Sequence, residues 1–296
     1  MTSIADVLNS RPGLQRRLFF LAKRFVAGET TETAIAAVQR LNADGLSCTV
    51  DFLGEDVTNE RDATLTTDTY LEMIDRIAAS GADCNVSVKL SAIGQAISED
   101  LAVANLQRIT AKARPLDMFV RLDMEGSSTV DSTYRILDRA LESYTNIGPV
   151  VQAYLKCAAH DVERCIARGL RVRLCKGAYK EPAHIAFQKM TDIRRNYIQL
   201  AQRLVSEGAY PGIATHDEQI LAAVRDYAAR NGIAPKSFEF QMLYGIRPGA
   251  QRTLVKQGYK VRVYVPFGSH WASYFYRRLA ERKENVFFVL RSFFSR

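Results

Sequence analysis

Eight short runs rich in valine, leucine or phenylalanine recur along the chain, with longer amphipathic segments between them. The runs cover 46–53, 84–90, 116–124, 149–155, 170–177, 211–216, 237–243 and 259–266. Three of the intervening segments have clear helical periodicity. Segment 70–80 sets Leu71, Ile74 and Ile77 about a turn apart. Segment 101–111 does so with Leu101, Leu106 and Ile109, and 131–144 with Tyr134, Leu137 and Leu141. Spacing near 3.6 residues marks a helix with one buried stripe. Ser98, Asp131 and Asp217 stand where N-caps are expected. Eight strands, each followed by a helix, predict a closed α/β barrel of the (β/α)8 type. The alternative, an open doubly wound sheet, would carry GxGxxG after its first strand, and that motif is absent.

Residues 3–44 read as helices broken at Gly28-Glu29-Thr30. The expected organisation is therefore an N-terminal helical segment, 1–45, packed on a catalytic barrel, 46–296, as one domain. The 296 residues are 47% apolar and 24% charged, which excludes disorder as a global description. No apolar run approaches ~18 residues, and residues 1–9 have no basic flank before an apolar core, so neither a membrane span nor a secretory signal is expected. The five cysteines form no CxxC, which points to a reducing, cytoplasmic setting with thiols used as small core residues. No metal is expected, because the four histidines lack ligand-like spacing with those cysteines. Forty basic against 32 acidic residues give a net charge of +8, which favours an anionic partner without choosing among cofactor, carboxylate, membrane and nucleic acid.

In a barrel of this type the chemistry lies at the C-terminal ends of the strands. Those ends hold Lys89, Asp123, Gln152 with Tyr154, Arg173 with Lys176, Gly177 and Tyr179, Thr215-His216, Glu239 with Gln241, and Tyr264. Any one of them alone reads as a solvated strand end. Together they place cations, acids and a histidine at one mouth, which is costly unless they pair or bind something. Arg173 and Lys176 followed by Gly177 suit a phosphate or an electron-rich ring, the glycine allowing close approach; the plain alternative is a strand with exposed Arg171, Arg173 and Lys176. Near the C-terminus, Trp271, Tyr274, Arg278 and Glu281 share a helix face, with Arg277 beside them. Two adjacent guanidinium groups can clamp a carboxylate. The tail 285–296, with four phenylalanines and two arginines, predicts docking on the barrel, with contact to a membrane surface as the alternative.

These segments together resemble the proline dehydrogenase family, the flavin enzymes of proline catabolism. The resemblance runs over VSVKLSAIG (86–94), VRLDMEG (120–126), VQAYLK (151–156), VRLCKGAY (172–179), IATHDEQI (213–220), FEFQMLYG (238–245), VRVYVPFG (261–268) and YFYRRLAERKEN (274–285). The length is similar to that of the single-function bacterial enzymes. The resemblance implies a distorted (β/α)8 barrel binding FAD noncovalently, with the final helix over the mouth. It implies oxidation of L-proline to Δ1-pyrroline-5-carboxylate by hydride transfer to FAD, with electrons passed to a membrane quinone. It places Arg277, Arg278 and Lys89 on the substrate carboxylate, Asp123 next to Lys89 to fix it, and Tyr264, Tyr274, Leu243 and Tyr179 around the ring. Gln152 and Arg173 would contact the flavin, and Met124, Lys176, Gly177, Ala178, Thr215 and His216 would line it. Glu281 would orient Arg278, and Glu55 would pair with Arg277 when the site is closed. The expected setting is cytoplasmic, with a peripheral position at the inner face of the cytoplasmic membrane as the alternative. The family pattern often reads ATHN where this chain has Asp217, which adds negative charge near the cofactor phosphates. Two other readings compete: a lysine Schiff-base aldolase on the same barrel, using Lys89 or Lys176, and a basic nucleic-acid-binding module, against which the charge is dispersed and no nucleic-acid motif appears.

Overall fold

Alternation within each apolar run decides the architecture. In the computed structural model, which describes residues 19–280, the runs become strands β1 (Ser47–Phe52), β2 (Cys84–Val88), β3 (Val120–Leu122), β4 (Ile147–Gln152), β5 (Arg173–Cys175), β6 (Gly212–Ala214), β7 (Glu239–Leu243) and β8 (Lys260–Phe267). All neighbours pair in parallel, and β1 closes on β8, so the sheet is a closed eight-stranded barrel. Among the described residues the helices are α1 (Thr31–Ala43), α2 (Glu60–Ser80), α3 (Glu99–Ala113), α4 (Val130–Leu141), α5 (Ala158–Ala167), α6 (Met190–Glu207), α7 (Glu218–Arg230), α8 (Pro248–Lys256) and α9 (Trp271–Ala280).

One face of each strand supplies the core. Val50, Val86, Val120, Leu174, Ile213, Phe240 and Val263 pack with Ile74, Leu106, Leu137, Leu204 and Leu221 of the surrounding helices, all essentially inaccessible to solvent. Burying one such side chain is worth roughly 1.5–3 kcal/mol. The other face is polar. Thr49, Asp51, Asn85, Ser87, Arg121, Arg173, Glu239, Gln241 and Arg262 are all buried within the barrel. Polar groups there are stable only when hydrogen-bonded, and a chain of bonds crosses the interior: Arg173 Nε donates to Gln241, Gln241 Nε2 to Glu239, and Arg262 Nε to Glu239. The interior thus carries charge towards the mouth.

Several boundaries differ from those expected. The run 116–124 contributes only Val120–Leu122 to the sheet, because Leu116 ends a 3-10 turn and Asp117 takes a left-handed conformation. Ser98 and Asp217 cap α3 and α7 through side-chain bonds to Asp100 N and Gln219 N. Asp131 is not an N-cap. A 3-10 turn, Ser127–Thr129, starts α4 earlier and leaves Asp131 in its first turn, where its charge still favours the helix dipole. Thr30 ends the expected break and caps α1 in a reciprocal box with Thr33. The cysteines are unpaired, but only Cys48 and Cys165 are buried; Cys157 is exposed, so it is not a packing residue. No helix among the described residues is long and apolar enough to cross a membrane.

Residues 19–26 matter for the site. Leu21, Ala22, Phe25 and Val26 form a second apolar cluster with Trp271, Ala272, Tyr274 and Phe275 of α9. The rings of Trp271 and Phe275 meet edge-on at 5.9 Å, and Trp271 Nε1 donates to Glu29. The segment preceding the barrel therefore helps to hold α9 over the mouth. Residues 1–18 and 281–296, with the tail, lie outside the described residues.

Candidate active site

At the C-terminal ends of the strands lies a cavity of about 820 Å3, within the range of small-molecule and cofactor sites. Its deepest wall is a cluster of alternating charges. Lys89, just past β2, bonds Asp51 of β1 at 2.6 Å, with the side chains 8% and 0% exposed. Asp123, just past β3, accepts from Arg173 at 2.7 Å, from Ser87 at 2.7 Å and from the Tyr264 hydroxyl at 2.8 Å. Lys89 also donates to the Tyr264 oxygen at 3.3 Å. Burial works to raise the Asp123 carboxyl, but Arg173, Lys89 and the two hydroxyl donors outweigh it and hold it below the usual range. Burial pushes Asp51 up to about 6 against the pull of Lys89. Burial alone would lower Lys89; Asp51, Asp123 and Glu55 reverse that and keep it protonated. Burial beside Asp123 and Asp51 keeps the Tyr264 phenol protonated.

Asp123 pairs with Lys89 as expected, at 3.7 Å, but Asp51 at 2.6 Å is the closer anchor of the ammonium. Asp123 also holds Arg173 and Tyr264. Arg173 lies buried with its guanidinium over the Tyr264 ring at 5.2 Å, so the exposed-strand reading of it fails.

The upper end of the cavity is formed by α9. Arg277 forks onto Glu55 of the β1–α2 loop, with bonds of 2.6 and 2.9 Å. Hydrogen bonding from Arg277 outweighs burial and lowers Glu55. The buried Arg278 stacks over Tyr274 at 5.1 Å. Both arginines, Tyr274, Tyr264, Leu243 and Tyr179 line the same space as Lys89. Trp271 does not: it turns into the cluster with Phe25. Glu281 lies outside the described residues.

The long wall consists of Met124, Gln152, Arg173, Lys176, Gly177, Ala178, Thr215 and His216. Gln152 Nε2 donates to the Glu125 carbonyl. Lys176 is held by Asp217 at 2.7 Å. His216 accepts from the Leu243 backbone N–H at Nε2, 2.9 Å away, which places the ring proton on Nδ1. Gly177 has φ +108°, and a Cβ there would fall 2.1 Å from the Tyr154 ring. Tyr154 thus backs the loop instead of facing the cavity. Glu239 is likewise absent from the mouth, being held deep in the barrel by Arg262 at 2.8 Å.

Sequence reasoning missed several residues. Asp51 and Ser87 lie inside their strands, so a search of strand ends passes over them; their inward alternation with Thr49 and Lys89 was the available signal. Glu125 lines the cavity while accepting from Ser91 N and Oγ, and burial raises its carboxyl. Arg247, Met190 and Ile193 also line it, without any motif to mark them.

The geometry defines a (β/α)8 barrel enzyme that can hold an anion at one end of its mouth, with room for a nucleotide-sized group along the other wall. The proline dehydrogenase family model matches residues 34–291. Proline dehydrogenase 1 of Bacillus subtilis (strain 168) is 41% identical over 91% of this chain and 89% of its own length. The proline dehydrogenase of Deinococcus radiodurans is 40% identical over 94% of this chain and 91% of its own. Among solved structures, the fold superposes on proline utilization A from Bdellovibrio bacteriovorus, inactivated by N-propargylglycine, with a TM-score of 0.83 and 27% identity; the match covers 90% of this chain and 33% of that one. The chain belongs to the proline dehydrogenase family.

Proposed function

We propose that this chain oxidises L-proline to Δ1-pyrroline-5-carboxylate using noncovalent FAD. The observation that carries the reading is the union, in one cavity, of Arg277, Arg278 and Lys89 with the wall of Gln152, Arg173, Lys176 and His216. The residues present fit the cofactor. Among them are guanidinium, ammonium and imidazole N–H donors suited to an electron-rich ring and its phosphates, and the volume suits a group of that size. Gln152, Arg173, Met124, Lys176, Gly177, Ala178, Thr215 and His216 would hold it. FAD, when bound, supplies the hydride acceptor.

The protein's tasks are to bind, orient and exclude water. Arg277 and Arg278 receive the proline carboxylate, and Lys89 completes the anion site. Arg277 must let go of Glu55 to do so, so substrate entry exchanges one carboxylate for another. Tyr264, Tyr274, Leu243 and Tyr179 enclose the ring. Asp123 keeps Arg173 and Tyr264 in place, and the Arg173 charge stabilises electron density arriving beside it. Only a neutral amine can expel a hydride. Lys89 stays protonated and Asp123 is held ionised by its cationic partners, so neither takes up the amine proton; bulk water, reached before the substrate is enclosed, can serve as the acceptor. Membership of the family supports a quinone as electron acceptor, and the phenylalanines and arginines of 285–296 support contact with a membrane surface as the alternative to docking on the barrel.

A Schiff-base aldolase would need an unprotonated lysine. Lys89 is held as a cation by two carboxylates, and Lys176 is committed to Asp217. The test of the proposed activity is a visible spectrum. The purified protein should show flavin bands that bleach on anaerobic addition of proline; a protein that takes up no FAD, or does not bleach, refutes it. Replacing Tyr264 with serine should shift selectivity towards hydroxyproline by about tenfold or more, because it removes bulk at the ring. Tyr264→Phe keeps the bulk and should retain the preference; an unchanged ratio in the serine variant removes Tyr264 from the ring contacts.

A further inference from the structure

We propose that Arg247 is a positioning residue for the cofactor site, gripping the His216 backbone so that the imidazole keeps one orientation and one tautomer there; this rests on the flavin reading above. Arg247 has no catalytic motif around it. Its backbone is nevertheless in the left-handed region, φ +50° and ψ +51°, directly before Pro248. That conformation is unfavourable for a side chain with a Cβ, and a following proline restricts it further. Such strain persists only where the surroundings impose it.

The surroundings here are specific. Arg247 Nη1 donates to the His216 carbonyl at 2.6 Å, and Nη2 bonds Glu218 at 2.6 Å. The last residue of β7 holds the other end of His216: the Leu243 N–H donates to its Nε2. Leu243 is fixed in turn, because Gln251 of α8 donates to its carbonyl. The imidazole is therefore held at its backbone by residue 247 and at its ring by residue 243. Both grips come from one five-residue stretch, and both His216 and Arg247 line the cavity. A ring held at Nε2 has one tautomer, with its proton on Nδ1. Losing the backbone grip allows the β6–α7 turn to shift and the ring to leave that acceptor geometry. Support of this kind typically sets affinity by about 10–100-fold where it has been altered in other sites.

Three variants separate the grip from the strain. Arg247→Gly removes the guanidinium and relieves the backbone. Arg247→Lys keeps a donor and the charge. His216→Gln assigns the His216 signals. The readouts are the 15N histidine spectrum of the flavin-free protein and the FAD dissociation constant from fluorescence titration. Wild type should show a single Nδ1–H tautomer at His216. Arg247→Gly should show mixed tautomers and bind FAD about tenfold more weakly, with a melting temperature equal to or above wild type, and Arg247→Lys should recover part of both losses. A glycine variant that keeps the single tautomer and the wild-type dissociation constant overturns the proposal. A wild type with the single tautomer but no affinity for FAD overturns the flavin reading instead. In that event the tautomer comparison still decides whether Arg247 grips His216.

Discussion

Arg277→Met raises the KM for L-proline by about two orders of magnitude and leaves FAD bound. In the structure the Arg277 fork is already satisfied by Glu55 at 2.6 and 2.9 Å, with side chains 29% and 21% exposed. A carboxylate substrate must take over that fork. Truncating one partner of a hydrogen-bonded, partly desolvated charge pair costs about 2–5 kcal/mol, and each 1.4 kcal/mol is tenfold in affinity. Two effects keep the loss towards the lower end. Arg278 and Lys89 remain to hold the carboxylate, and the wild-type affinity already includes the cost of displacing Glu55. Methionine keeps an unbranched stem in place of the arginine's, and the packing of α9 against Leu21, Phe25 and Leu53 is made by Trp271, Ala272, Tyr274 and Phe275, so it survives the change. The residues assigned to FAD lie along the other wall, and their hydrogen bonds do not involve Arg277. The effect should fall mainly on KM, as expected for lost ground-state binding. A KM within about threefold of wild type would remove Arg277 from the substrate site.

The barrel was legible because its strands alternate with helices at a spacing few other folds accommodate. The site was legible because barrel mouths are built from strand ends, so the sequence alone places Lys89, Asp123, Arg173 and Tyr264 together. What escaped was depth and direction. Asp51 reads in VDFLGE as a polar break in an apolar run, although its alternation with Thr49 turns it inward onto Lys89. Glu239 shares that inward face but lies too deep, two residues before Gln241, and its charge is spent on Arg262. Trp271 fits the helical spacing of Tyr274 and Arg278, yet the partner for its face comes from residues 19–26, which no periodicity could reveal. Arg247 is the extreme case. Glycine or asparagine would have signalled a left-handed residue; an arginine there is a tertiary fact, imposed by its bonds to His216 and Glu218.

Asp123→Asn lowers kcat/KM for proline by about 100-fold or more and lowers the melting temperature by several degrees. The reason is electrostatic balance. Asp51 and Asp123 offset Lys89 and Arg173 in a region where Lys89 is 8%, Arg173 8% and Asp123 13% exposed. Asparagine removes one negative charge and leaves two buried cations facing one carboxylate. It also turns an acceptor-only group into one that donates. Ser87 and Tyr264 can rotate their hydroxyls to accept, but Arg173 and Lys89 can only donate, so one of them meets an N–H. Breaking a buried pair in this way costs about 3–5 kcal/mol. For a chain of this size each kcal/mol corresponds to about 2 °C, so a fall of about 6–10 °C is the expected range. Part of the cost disappears if Arg173 swings away towards Gln241, which already accepts from its Nε. That escape moves the guanidinium from its place over Tyr264, so stability recovered by relaxation is lost in turnover. The two readouts should therefore trade against each other across Asp123→Asn, Asp123→Ala and Asp123→Glu. A variant that kept both the melting temperature and kcat/KM near wild type would mean that Arg173 and Tyr264 do not depend on Asp123.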